Sequence, residues 1–250
     1  VNPDGRDNNT RGNSNGTDLN RDHMKLLEPE GKAMHLAFNN LHPSVTVDMH
    51  EFGGIGSIIF QVAAPQNPAT HHDILLASYN LESVVLDSIS DEWGLGSVTN
   101  YPPTTSSQDS STHRNHFAVH GSTSLLFESA VSEEYSKRVK LQAWAALTVI
   151  DEVANNPDYY LEARQSSDEE GQEGNDFVYA YLFECSDPAS TETIRILRDH
   201  DFDLGIKSDN NGISSIHYET FFPRSNFPNG TIVVPMNQIG WRSIGELMEY

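Results

Sequence analysis

The stretch "VTVDMHEFGGIGS", Val45 to Ser57, decides how the chain reads. Val45 and Val47 alternate with Thr46 and Asp48, the period-two pattern of a strand with one apolar face. A strand is predicted over Val45–Met49, and it delivers His50 at its C-terminal end, just before a glycine-rich turn. A second apolar run, "TSLLFES" (Thr123 to Ser129), carries a carboxylate, Glu128, at its own end. Open α/β sheets gather functional side chains at the C-terminal ends of their strands, which makes His50 and Glu128 candidates. The histidine could be a metal ligand, a base or a hydrogen-bonded structural residue. The carboxylate must be paired, exposed at a rim or functional, because burying it without compensation is costly.

Helical patterns surround these strands. Met34, Ala37, Phe38 and Leu41 fall at i, i+3, i+4 and i+7, and Pro43 ends that helix by disfavouring helical geometry at His42. "IIFQVAA" reads as another strand, and residues 71–92 as a helix with Ile74, Leu75, Ser78, Leu81, Val85 and Ile89 on one side. Residues 97–113 are rich in Ser, Thr and Pro and read as loop. Glu134–Val153 is the clearest helix. Its buried stripe is expected to be Tyr135, Val139, Ala143, Ala146, Ile150 and Val153, with Asn155, Asn156 and Pro157 as the stop. "EARQSSDEEGQEGN" (162–175) has the composition of a linker. Beyond it, "FVYAYLF" and "TIVVPM" read as strands. Asp187-Pro188 opens one helix, and "WRSIGELMEY" begins another. The expectation is an α/β protein. Residues 1–160 would form a mixed, mostly parallel sheet with flanking helices. An acidic linker (161–175) would then lead to a small C-terminal α/β module (176–250).

The 250 residues carry 36 acidic and 15 basic side chains, a formal charge of −21, which disfavours nucleic acid and anionic membrane surfaces as partners. No apolar run approaches the ~18 residues of a membrane span. An acidic surface with few lysines suits high salt, and an ordinary acidic soluble protein fits equally well. The single cysteine, Cys185, excludes an intramolecular disulfide and reads as a small buried hydrophobe.

Two further features could carry chemistry. The opening run "NPDGRDNNTRGNSNGTDLNRD", Asn2 to Asp22, is a linker by composition, yet Asn20-Arg21 sets an amide beside a guanidinium, which binds carboxylates bidentately. His113, His116 and His120 are spaced i, i+3, i+7 and on a helix could share a metal. Gly121 and the Ser/Thr around it argue against a long helix there. His71-His72 reads as a surface pair at a helix start.

Together the motifs "NPDGRDNNTRGNSNGTDLNRD", "VDMHEF" and "STSLLFES", in that order, resemble the zinc metallocarboxypeptidases of the carboxypeptidase A type over about residues 1–155. The resemblance implies a zinc cofactor with His50 as a ligand, and Glu128 as the general base that moves the proton of an attacking water. It implies a peptide partner with a free C-terminal carboxylate, gripped by Asn20 and Arg21. Arg11 would stabilise the oxyanion, with Arg6 as the competing candidate, and Tyr101 would cover the substrate. In that family a pocket for the last side chain lies near "THRNHF", so Arg114, beside His113, implies a preference for acidic C-terminal residues. One part of the pattern is missing: none of the eleven histidines begins the His-x-x-Glu motif that supplies two further zinc ligands. The chain is therefore expected to be the later part of such a peptidase, inactive by itself, with weak or no stoichiometric zinc binding. A non-catalytic peptide- or carbohydrate-binding relative and an aspartoacylase-like deacylase are the alternatives.

Overall fold

A computed structural model describes residues 2–54, 56–94, 98–100, 108–174, 178, 180–184, 186, 188–206 and 230–249. The elements run α1 (Pro3–Asn8), a 3-10 turn (Leu19–Arg21), α2 (Pro29–Leu41), β1 (Val45–Phe52), β2 (Phe60–Ala63), α3 (His72–Trp93) and β3 (Val98–Asn100). They continue with α4 (His113–Val119), β4 (Thr123–Ala130), α5 (Tyr135–Asn155) and α6 (Pro157–Glu173). A second group follows: β5 (Ala180–Phe183), α7 (Pro188–Asp199), β6 (Gly205–Ile206), β7 (Ile232–Pro235) and α8 (Trp241–Glu249). Tyr101, Cys185 and Asp187 lie outside the described residues.

The larger sheet has the order β1-β4-β2-β3. The β1–β4 and β2–β3 pairs are parallel and β2–β4 is antiparallel, so the protein is α/β with a small mixed sheet and flanking helices. Strand alternation sorts its faces. Leu125 and Phe127 of β4, with Val45 and Val47 of β1, face Ile74, Leu81, Val85 and Ile89 of α3, Leu141, Ala145 and Val149 of α5, and Tyr160 of α6. This is the main core. Thr46, Asp48 and His50, with Ser124, Leu126 and Glu128, take the opposite face.

Ser78 joins the layers by a directional bond. Its buried hydroxyl donates to the Ile74 carbonyl (2.7 Å) and accepts from the Ser124 amide (3.1 Å). The last residue of β2, Ala63, is paired with Leu126, so β2 stops short of Ser124. The helix hydroxyl thus satisfies a strand donor that the sheet leaves open.

Several expectations change. The predicted linker is the C-terminal part of α6, with Pro157 at its first turn. Its buried residues, Tyr160, Ala163, Arg164, Ser167 and Gly171, keep helical spacing but are mostly small or polar, which hid them from a reading based on composition. The stripe assigned to α5 is also wrong. Tyr135, Val139 and Ile150 are exposed, while Leu141, Ala145 and Val149 are buried. That helix is apolar on more than one side, and periodicity alone does not say which side meets the sheet. The strand at His50 extends to Phe52, because β4 pairs with it residue by residue as far as Ala130.

The second group forms an antiparallel sheet, β5-β7-β6, packed around Leu197, Phe202, Val234, Met236 and Ile244. Its seam with the first group is polar. Arg195 donates to the Lys25 carbonyl (2.9 Å), and Lys32 pairs with Asp199 (2.8 Å). Arg242 grips the Glu170 carboxylate (2.5 Å to each oxygen) and reaches the Ala69 carbonyl (3.2 Å). Among the described residues no helix is long and apolar enough to cross a membrane.

Candidate functional site

His50 and Glu128 are direct partners in the parallel β1–β4 register, so their side chains emerge side by side on the face away from the main core. Gln61 of β2 pairs with Glu128 from the other side. This row lies at the C-terminal ends of β1 and β4.

Asp48 organises the His50 end. Its Oδ1 lies 2.8 Å from His50 Nε2, and its Oδ2 accepts from Asn20 Nδ2 at 2.8 Å. Asn20 Nδ2 and His50 Nε2 are 2.9 Å apart, two donors sharing one carboxylate. Burial pulls the His50 pKa down, but the hydrogen bond and charge of Asp48, with the charge of Glu128, push it above its ordinary value overall. Burial likewise raises the Asp48 pKa, yet His50 and His113 bring it below the usual range. The Asn20 Oδ1 accepts the His113 amide at 2.6 Å, so one side chain joins the 3-10 turn, β1 and the start of α4.

Glu128 is different. Its Oε2 is buried with no hydrogen-bond partner among the described residues. Burial raises its pKa and Asp48 raises it further, while His50, Arg11 and Arg114 act the other way. A carboxylate with a raised pKa and an open lone pair is suited to accepting a proton.

The arginines are placed unequally. Arg11 and His50 both line two neighbouring cavities of about 310 and 470 Å³. Arg11 Nε donates to Asp18 (2.7 Å), but its side chain is 59 % exposed, so that bridge is weak and exchangeable. Arg21 is exposed and folds back onto the Asn20 carbonyl (2.6 Å). Arg6 pairs with its neighbour Asp7 at the surface, away from these contacts. Arg114 is buried on α4, and its charge is felt by both Glu82 and Glu128.

The loop that carries Arg11 and Asn20 is ordered by a carboxylate. Glu28 accepts from Asn13 (2.9 Å), Asn15 (2.8 Å) and Thr17 (2.7 Å). Those bonds hold its pKa below the ordinary value. Gly5 has to be glycine, since a Cβ there would sit 2.5 Å from the Thr10 carbonyl oxygen. The composition that resembles a linker is what this loop needs: many short side chains that can bond locally.

A second polar cluster lies deeper. Three buried histidines, His35 of α2, His116 of α4 and His200 just after α7, each offer a ligand atom, all within 4.8 Å of one another, close enough to bind a metal ion. His23, His113 and His120 are packed around them. Burial is the main cause that lowers the pKa of all six, to about 4 for His200 and about 3 for His23. Of the predicted trio at 113, 116 and 120, only His116 belongs to the three. His113 amide-bonds to Asn20, and His120 caps the end of α4. No spacing in the sequence connects His35, His116 and His200, so only the fold reveals them. His113 lies near His50, across Asp48, but among the described residues no group of three metal-ligating side chains includes His50, and alone it does not complete a zinc centre, which takes three protein ligands.

No family model matches the chain, and the searches of curated proteins and of solved structures give no match either.

Proposed function

We propose that this chain carries the substrate-binding and proton-transfer part of a zinc metallocarboxypeptidase, acting on peptides with a free C-terminal carboxylate. One observation carries the reading: His50 and Glu128 stand in register on adjacent strands, and Glu128 keeps a buried oxygen with no partner among the described residues. The motif resemblance of residues 1–155 supports the same assignment. His50 would contribute one zinc ligand, the described residues group no further ligands with it, and the chain alone is expected to be inactive. When bound, zinc would supply a Lewis acid beside Glu128. Arg21 and Asn20 would take the substrate carboxylate, and Arg11 would leave Asp18 for the oxyanion. The present bonds of Arg11 and Arg21 are local and exposed, so exchanging them costs little, whereas Asn20 would have to give up its bonds to Asp48 and the His113 amide. Arg114 gives the neighbourhood of Glu128 a positive field that suits an acidic terminal side chain.

Binding tests this reading without turnover. A glutamate-terminated peptide is titrated into the chain beside the same peptide with a C-terminal amide. The free acid should bind at least tenfold more tightly, and Arg21→Ala should remove the difference. Equal affinity for acid and amide overturns the proposal. In any longer form that hydrolyses peptides, Glu128→Gln should cost about 10²-fold or more in kcat. Peptides ending in Glu should also be preferred over those ending in Phe or Lys. The engagement of His50 by Asp48 favours one alternative, a binding module of the same fold without catalysis. Acid-selective binding with no hydrolysis in the longest form would identify it.

A further inference from the structure

The histidines under α4 pose a problem of hydrogen bonding. His116 Nδ1 lies 3.2 Å from the Ser110 carbonyl, and His200 Nε2 lies 3.0 Å from the Met24 carbonyl. A carbonyl only accepts, so both ring nitrogens must be the protonated ones. The opposite nitrogens, His116 Nε2 and His200 Nδ1, therefore present bare lone pairs, and both are buried without a partner among the described residues. Unsatisfied buried acceptors are costly and rare, and here two belong to side chains whose ligand atoms lie within 4.8 Å of each other. A backbone carbonyl fixing one nitrogen while the other faces inward is the arrangement that orients metal-binding histidines.

We propose that His35, His116 and His200 bind one divalent transition-metal ion, and that this ion pins the C-terminal module to α2 and α4. The donor set is all imidazole nitrogen, which suits zinc, cobalt or nickel and disfavours magnesium and calcium, whose ligands are oxygens. Burial keeps these imidazoles neutral, the state in which they ligate. Tetrahedral zinc with ~2.0–2.1 Å bonds places its nitrogens about 3.3 Å apart. The present spread of up to 4.8 Å would close by about 1.5 Å on binding. The three side chains are 1 %, 1 % and 3 % exposed, too enclosed for a substrate, so the role is structural. The ion would also steady α4, whose first amide anchors Asn20 next to Asp48 and His50. This site is separate from the His50–Glu128 row and stands or falls without it.

The test is titration of the chelator-stripped 250-residue chain with cobalt(II). One equivalent should bind, with the visible absorption of a low-coordinate nitrogen site. X-ray absorption of the loaded wild type should show at least three imidazoles. Amide exchange in α7 and α8 should slow at least tenfold on loading. His200→Gln should abolish both the absorption and the exchange protection, whereas His50→Gln should retain them. If His200→Gln fails to fold, the wild-type absorption and scattering still decide. No stoichiometric binding, fewer than three imidazoles, or loss of binding in His50→Gln overturns the proposal.

Discussion

Replacing Asn20 by aspartate probes the geometry around His50 by a single atom. Its amide orientation is fixed from both sides: Nδ2 faces the Asp48 carboxylate at 2.8 Å, and Oδ1 faces the His113 amide at 2.6 Å. Asn20→Asp keeps the acceptor for His113 but sets a second carboxylate 2.8 Å from Asp48. Two unit charges at that distance repel by about 6 kcal/mol at an effective dielectric near 20, and about 1.5 kcal/mol in water. His50 offsets part of this, so a loss of about 2–4 kcal/mol is expected at pH 7.5. The sign with pH follows from linkage. The introduced acid has a folded pKa raised above its unfolded value of ~3.9, so its penalty is full above the raised pKa and disappears as the pH falls towards ~4. Asn20→Ala loses hydrogen bonds only, and its deficit should not change with pH. Urea unfolding of the metal-free wild type and both variants at pH 7.5 and 5.0 separates the cases. If the Asn20→Asp deficit equals that of Asn20→Ala at both pH values, Nδ2 does not face Asp48 and the site geometry is wrong.

Other outcomes follow from the same physics. Ser78→Ala should cost about 1–3 kcal/mol by leaving the buried Ser124 amide unsatisfied, read from denaturant midpoints, whereas Ser78→Thr should recover part of the loss. Arg164→Ala should destabilise by about 2–3 kcal/mol in the same assay, since this buried guanidinium ties α6 to the Pro43 carbonyl (2.8 Å) and His42 (3.1 Å). A double-mutant cycle on Arg242 and Glu170 should give a coupling of about 1 kcal/mol, discounted because Glu170 is 41 % exposed. Metal-free protein should lose stability as pH falls from ~6.5, where unfolded histidines protonate, towards the depressed folded pKa of about 4 at His200. The slope is about 1.4 kcal/mol per pH unit for that histidine, and His200→Gln should remove that increment.

The parts of the fold legible in the sequence are those where one physical rule dominates. Alternation in "VTVDM" and the apolar run before Glu128 give β1 and β4, and their register follows once they pair. Helix α3 is legible because Ile74, Leu81, Val85 and Ile89 meet a single face. The failures occur where rules compete. Helix α6 buries Ala163, Arg164, Ser167 and Gly171, so its inner face looks like a polar linker although its spacing is helical. Helix α5 offers apolar residues on both sides, and only the position of the sheet selects Leu141, Ala145 and Val149. In the site, His50 and Glu128 are legible because strand ends are local features. His35 and His200 are not, because they lie 165 positions apart and meet only when α7 docks on the first module.

The two histidine environments show how one residue type acquires opposite properties from its surroundings. Burial depresses both His50 and His116, but His50 lies against Asp48 and Glu128, and their charges reverse the balance in favour of the proton. His116 faces other histidines and a carbonyl, so nothing offsets its burial and it stays neutral. A cation has different meanings in the two places. At His50 it would have to displace a proton shared with Asp48, and among the described residues no group of three ligating side chains includes His50. Under α4 it would meet three neutral imidazoles, two of which, His116 and His200, have bare lone pairs opposite a nitrogen held by a backbone carbonyl, while His35 Nε2 lies 3.3 Å from His23 Nδ1. Among the described residues, the side chains therefore favour a metal at the buried trio over one at His50.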